Sequence, residues 1–203
     1  NEFQEQLNQL EQDGLLRTLR LVEGPQEEGI VIDGKKVLNF CSNNYLGLAN
    51  DQRLKEAAIL AIKKYGVGTG ASRLVCGNMF LHKKLEEKIA EFKNSESALL
   101  FNSGYCANLG IISSIMDRGG IIFSDKLNHA SIIDGIILSN ANFRRYPHKD
   151  IVVLEQLLGE NNHFKKKLIV TDSVFSMDGD IAPLREIAGI AEKYNAMIMV
   201  DEA

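Results

Sequence analysis

Residues 167–201 read KLIVTDSVFSMDGDIAPLREIAGIAEKYNAMIMVD, and this stretch decides the fold. It opens on an apolar run, 167–171, that reaches an acid at Asp172. Pro183 suits a helix start, because its ring presets φ and the N–H it lacks has no intrahelical partner there. Leu184, Ile187, Ala191 and Tyr194 then fall on one helical face. A second apolar run, 196–200, ends on another acid, Asp201. Strand, helix, strand, with the strands apolar throughout, is the unit of a parallel sheet covered on both faces.

Working outward, the pattern repeats. An apolar run at 120–124 precedes a helix through Ile132, Ile136 and Ile137. The run 98–101 predicts a strand leading into a helix with Leu109, Ile112 and Met116. Asp150 can cap a helix carrying Leu154, Leu157 and Leu158. Earlier, Leu81, Leu85, Ile89 and Phe92 mark one helix, and Leu54, Ala58, Ala61, Ile62 and Tyr65 another, with a glycine loop at 66–72 between them. The first 45 residues have a different texture. A helical pattern (Phe3, Leu7, Leu10) is interrupted at Gly14, and Asp33-Gly34 between two apolar runs signals a hairpin. The expectation is an arm over 1–45 and an α/β domain over 46–203, its mainly parallel sheet flanked by helices on both faces.

Composition narrows the classes. With 203 residues, 45% hydrophobic and 25% charged, the chain is a globular domain and not a disordered, collagenous or disulfide-built one. A formal net charge of -4 shows no basic surplus, so no nucleic-acid partner is expected. No apolar run reaches the roughly 18 residues of a membrane helix, and the polar N-terminus carries no secretion signal. Cys41, Cys76 and Cys106 fit neither a disulfide framework nor a zinc site. Free, buried thiols in a reducing cytoplasm are expected. An apolar strand that has just reached its acid is an unusual place for a domain to end, so the chain is expected to be a piece of something longer.

In a parallel sheet, ligands gather at the C-terminal strand ends. Here those ends carry Ser103-Gly104-Tyr105, then 124–131 with His129, then Asp172 through Asp180, then Asp201. A Ser-Gly turn opening a helix can bind phosphate through backbone N–H groups and the helix dipole, although alone it reads first as an ordinary capped helix. His129 can stack on a planar ligand or move a proton, and alone reads as a capping or core histidine. Asp201 is either an edge acid facing solvent or an acid held against a cationic ligand atom. The glycines at 66–70 follow a helix, which does not match a dinucleotide fingerprint. His148 and His163 sit in polar stretches and are given no role.

Taken in order, CSNNYLGL (41–48), GVGTGASRLVCG (66–77), SGYCAN (103–108), SDKLNHAS (124–131), TDSVFSMDGD (171–180) and VDEA (200–203) resemble the α-oxoamine synthases. These are pyridoxal-phosphate enzymes of the aspartate-aminotransferase fold, fold type I. The resemblance spans 41–203 and implies roles. Backbone amides of Gly104 and Tyr105, with Ser103, would hold the cofactor phosphate. His129 would stack on the ring, Asp201 would pair with the pyridinium nitrogen, Ser176 would bond the phenolic oxygen, and Asp172 would belong to the same network. Asn43 would help hold the substrate carboxylate, and Arg17 would contact substrate, with Arg20 its rival. The implied reaction condenses an amino acid with an acyl-CoA and releases carbon dioxide. The stretches 68–74 and 178–184 lean toward the member using L-alanine and pimeloyl-CoA over the one using glycine and acetyl-CoA; a non-catalytic family subunit is the distant alternative. A homodimer with its active site at the subunit interface is implied. The family's Schiff-base lysine matches no lysine here, so the chain alone is expected to be inactive.

Overall fold

A computed structural model describes residues 1–203. The chain forms two compact units, Asn1–Met79 and Phe80–Ala203.

The first unit begins with helix α1 (Glu2–Gln12), capped by the Asn1 side chain, which accepts from the Phe3 amide. Strands β1 (Val22–Glu23), β2 (Gly29–Ile32) and β3 (Lys35–Leu38) form an antiparallel sheet in that order. The expected hairpin is present. Asp33 and Gly34 take φ of 50° and 73°, the left-handed pair that a two-residue turn needs to match strand twist. Helix α2 (Gln52–Tyr65) follows, capped by Asp51, which accepts from the Arg53 amide at 2.8 Å. The glycine loop then runs into a single π-helical turn (Arg73–Gly77). A Cβ on Gly77 would lie 1.8 Å from the Ala71 carbonyl oxygen, so only glycine fits.

The second unit carries α3 (Phe80–Lys93), α4 (Gly104–Ile115), β4 (Gly120–Asp125), α5 (Ala130–Ser139), β5 (Asn142–Tyr146), α6 (Ile151–Glu160), β6 (Lys166–Asp172), α7 (Leu184–Tyr194) and β7 (Met197–Asp201). The four strands form one sheet, ordered β5-β4-β6-β7, and every pairing is parallel. Successive side chains of each strand point to opposite faces, and both faces are covered. Ile121, Phe123 and Ile169 pack with Leu154 and Leu158 of α6 and Ile187 and Ala191 of α7. Ile122, Leu168 and Val170 pack with Ile112 of α4 and Ile132 and Ile136 of α5. Each fully buried Ile, Leu, Val or Phe among them contributes ~1.5–3 kcal/mol of transfer free energy. The doubly covered parallel sheet is therefore as expected.

Two local expectations are corrected, and one element was not anticipated. The 98–101 run is not a strand. It has no neighbour in the sheet, and the Leu100 amide donates instead to the Glu86 carboxylate at 2.8 Å. The segment 142–146, with no apolar run to announce it, is the edge strand β5. The three cysteines are free as expected, but exposed instead of buried.

Candidate active site at the strand ends

The C-terminal ends of the four strands lie nearly level. Asp172 of β6 is the direct register partner of Asp201 of β7, and Asp125 of β4 is that of Tyr146 of β5. Sheet pairing therefore gathers three carboxylates along one rim.

Two of them share a network with a histidine. The Asn108 side-chain amide donates to Asp201 Oδ2 and to Ser131 Oγ, both at 2.8 Å. Ser131 Oγ lies 2.8 Å from His129 Nδ1, and the Ser131 amide donates to the same nitrogen at 3.2 Å. A carboxylate only accepts, so Asn108 must present its nitrogen to Asp201. Ser131 Oγ then accepts from Asn108 and gives its own hydrogen to Nδ1. The chain of donors fixes Nδ1 as an acceptor and leaves the His129 proton on Nε2 in the neutral ring. The capping reading of His129 is thus correct as geometry, since the ring caps α5. Capping and orientation are one device here.

The packing of α4 against α5 makes this contact possible. A Cβ on Gly135 would lie 2.9 Å from the Asn108 carbonyl oxygen and 3.1 Å from Ile112 Cδ1. Glycine at 135 lets the two helices close far enough for Asn108 to reach Ser131.

Asp172 is held from two sides. Its Oδ2 accepts from the His129 amide at 3.1 Å, and its own amide donates to Asn128 Oδ1 at 3.1 Å. Asn128 is buried and its side-chain nitrogen donates to Ser124 Oγ and the Val170 carbonyl. Asp172 Oδ1 is buried and meets no partner. Burial, then the neighbouring charge of Asp201, raises the Asp172 pKa, with the His129 amide bond only partly offsetting this. Two adjacent carboxylates with one orphaned oxygen call for a cation or a donor above them.

At the start of α4, Ser103 Oγ accepts from the Cys106 amide at 3.1 Å. The cap satisfies one of the helix's first amides and leaves those of Gly104 and Tyr105 to an incoming anion. No neighbour would obstruct a Cβ at Gly104 within 4 Å, so the space above the turn is open. The Tyr105 hydroxyl donates to Asp134 Oδ2 of α5 at 2.7 Å. Burial adds to that bond in raising its pKa, the hydrogen bond being the larger cause. Ser176 is exposed on the loop that joins β6 to α7.

In the first unit, Asn43 and Arg20 line one open cavity of about 930 Å³, with Asn39, Asp33 and Phe40 among its other walls. Arg17 is exposed and is not part of that wall. Sequence reasoning passed over Asn108, Ser131 and Asn128 as working groups, although each sits in a quoted motif. The missing signal was pairing: Asn108 lies 23 residues from Ser131 and 93 from Asp201.

Comparison with known proteins agrees over the whole length. The aminotransferase class I and II family model matches residues 35–203. A protein of Geotalea daltonii named 8-amino-7-oxononanoate synthase is 58% identical over 202 residues, 99% of this chain and 51% of that protein. One of the same name from Geobacter sulfurreducens is 54% identical over 198 residues, 98% of this chain and 51% of that protein. The chain spans about half the length of the curated relatives it matches. Among solved structures, Sphingomonas wittichii serine palmitoyltransferase superposes with TM-score 0.90 at 35% identity, covering 99% of this chain and 51% of the other. The 8-amino-7-oxononanoate synthase of Francisella tularensis gives TM-score 0.66 at 36% identity over 81% of this chain and 44% of the other.

Proposed function

We propose, from the premise that this chain belongs to the aminotransferase class I and II family, that it carries the cofactor-binding half of a pyridoxal-phosphate enzyme that makes 8-amino-7-oxononanoate. Its fold is that of the PLP-dependent transferases of fold type I. The substrates in this reading are L-alanine and pimeloyl-CoA, and carbon dioxide and CoA leave.

The observation that carries the reading is the Asp201–Asn108–Ser131–His129 chain beside the unpartnered oxygen of Asp172. These residues fit the cofactor. The acid pair suits a protonated ring nitrogen, the oriented imidazole suits a flat ring, and the α4 amides suit a phosphate. When bound, the group supplies an electron sink for the carbanion at the amino acid's α carbon.

The chain's own residues divide the remaining work. Asp201, held by Asn108, keeps a proton on the ring nitrogen. Asp172 adds negative potential beside it and holds the His129 backbone. His129 offers a ring face fixed by Ser131. Gly104, Tyr105 and Ser103 anchor the phosphate end, and Ser176 bonds the phenolic oxygen. Asn43 holds the substrate carboxylate in the first unit, where Arg20 shares its cavity and is favoured over Arg17. No lysine among the 203 residues is assigned the covalent role. We keep residues 1–45 as the arm and 46–203 as part of the cofactor domain.

The reading includes a homodimer in the cytoplasm. Exposed Leu54, Ile59, Leu60 and Ile62 leave apolar side chains around α2 that suit a subunit contact, and three exposed free thiols suit a reducing compartment. No helix is long and apolar enough to cross a membrane.

The decisive assay compares L-alanine with pimeloyl-CoA against glycine with acetyl-CoA in the active enzyme containing this sequence. Preference for the second pair overturns the substrate assignment.

A further inference from the structure

Outside the cofactor network, the strand-end rim holds a second polar cluster centred on His148. Its Nδ1 lies 3.0 Å from Asp125 Oδ1, and its Nε2 lies 3.0 Å from Asp180 Oδ2. Asp125 ends β4 and is buried, whereas Asp180 belongs to the loop between β6 and α7. Asp125 also accepts from the amides of Leu127 and Lys149, both at 2.8 Å. The ring of His148 meets the buried Phe175 edge-on, with centroids 4.3 Å apart at 87°.

Carboxylates only accept, so a ring that bonds both must donate from both nitrogens. That requires the imidazolium. A neutral ring would set a lone pair against one of the two acids. Lys149 is the only other cation in the cluster. Its Nζ donates to the same Asp180 oxygen at 3.0 Å, while its backbone sits at φ 58°, an uncommon conformation that the Asp125 bond helps hold. Tyr146, ending β5, faces Asp125 with a raised pKa, caused first by burial and then by that charge, so it stays neutral.

The loop that Asp180 belongs to carries Ser176. It folds as a tight reversal: Val174 bridges Ile181, the Phe175 amide donates to the Asp180 carbonyl at 2.9 Å, and the Gly179 amide donates to the Phe175 carbonyl at 2.7 Å. Ser176, Met177 and Asp178 form its exposed tip. Phe175 and Asp180, the two points where this reversal is pinned, are the two that His148 touches.

We propose that His148, as an imidazolium held between Asp125 and Asp180, is the positioning residue that docks the Ser176 loop onto the sheet rim. The proposal rests on the reading in which Ser176 faces the cofactor, and it adds a control on that contact. Loss of the His148 proton removes one of the two cationic bonds to Asp180, leaving only Lys149. The loop then loosens, and the Ser176 hydroxyl loses its fixed position.

The sign follows from the folded protein. Burial alone lowers the His148 pKa, but the bonds to and charges of Asp125 and Asp180 outweigh it and leave it raised. Docking is therefore complete below the ordinary histidine pKa of ~6.5 and is lost as pH rises through the higher folded value.

Hydrogen exchange of the peptide covering 173–182, corrected for intrinsic exchange, tests this between about pH 5.5 and 9. Protection in the wild-type protein is expected to fall several-fold across that range, while protection of 167–171 in β6 holds. In His148→Gln the 173–182 peptide should be as open at low pH as the wild type is at high pH. If His148→Gln also loses β6 protection, Asp180→Asn, which lies in the loop, takes its place and should show the same low-pH opening. Protection that is independent of pH in the wild type, or titration that persists in the variant, overturns the proposal. Pyridoxal phosphate binding, measured by calorimetry on the wild type, separates the two ideas. Binding without a titrating loop overturns the docking role, and a titrating loop without binding overturns the functional reading alone.

Discussion

Asp172 and Asp201 are direct register partners on adjacent parallel strands, so their carboxyl groups reach the sheet rim side by side. The cost of that proximity falls on Asp172, which is buried and whose Oδ1 has no partner. Holding two acids side by side, one of them buried, costs the cofactor-free chain stability.

Asp172→Asn should therefore stabilise the cofactor-free protein at neutral pH. Burial and Asp201 raise the folded Asp172 pKa. A carboxyl raised in this way contributes full stability below its unfolded pKa of ~3.9, and that contribution is lost as pH rises through the folded value. At neutral pH the ionised group is a net penalty. Removing it should raise Tm, by ~2–4 °C for each kcal/mol recovered in a chain of this size, read by thermal denaturation with and without the substitution. An unchanged or lower Tm would refute the assignment.

Asn108→Ala should cost about 1–3 kcal/mol in urea denaturation, because Asp201 Oδ2 and Ser131 Oγ lose their shared donor. Asn108→Asp should be worse, since it sets a third carboxylate beside Asp201 and removes the nitrogen that orients His129. If the aspartate variant is the more stable of the two, the donor order derived for this network is wrong.

Gly135→Ala tests the close approach of α4 and α5. The added methyl meets the Asn108 carbonyl oxygen at 2.9 Å, a backbone atom that cannot swing aside. A loss of about 1–3 kcal/mol is expected from overpacking. The His129 ring NMR signals should shift too, since Asn108 must move. A neutral substitution would show that the helices have slack.

Asp201→Asn separates grip from chemistry. The amide oxygen can still accept from Asn108, so the fold and phosphate anchoring should persist. Turnover in the active enzyme should fall by at least ~10²-fold with the loss of charge against the ring nitrogen. Near-normal turnover would remove Asp201 from its assigned role.

The parts of this architecture that could be read in advance are those where one run of residues carries its own signal. Strands β4 and β6, covered on both faces, announced themselves as largely apolar runs ending in acids, and β7 carries the same kind of run although Met197 and Ile198 are exposed. Strand β5, Asn-Phe-Arg-Arg-Tyr, lies at the edge and exposes four of its five residues, so no apolar run marks it. The 98–101 run has strand composition, but composition cannot supply a ladder partner. His129 and Asp201 were found because they follow strands directly. Asn108 and His148 were missed because their partners are 23 to 93 residues away, and only the sheet register and helix packing bring them together.

The two borders of the parallel sheet differ in one further respect. Strand β5 ends the sheet with Arg144 and Arg145, charges that discourage another chain from adding to it. Strand β7 ends it with Met197, Ile198, Met199 and Val200 and carries no charge before Asp201. Within residues 1–203 no strand pairs with its outer side, and the side chains there are flexible and apolar enough to fit many neighbours. When this polypeptide is handled at high concentration, clumping should begin along that border. A lysine placed at Ile198 should suppress it more than one placed at Phe143.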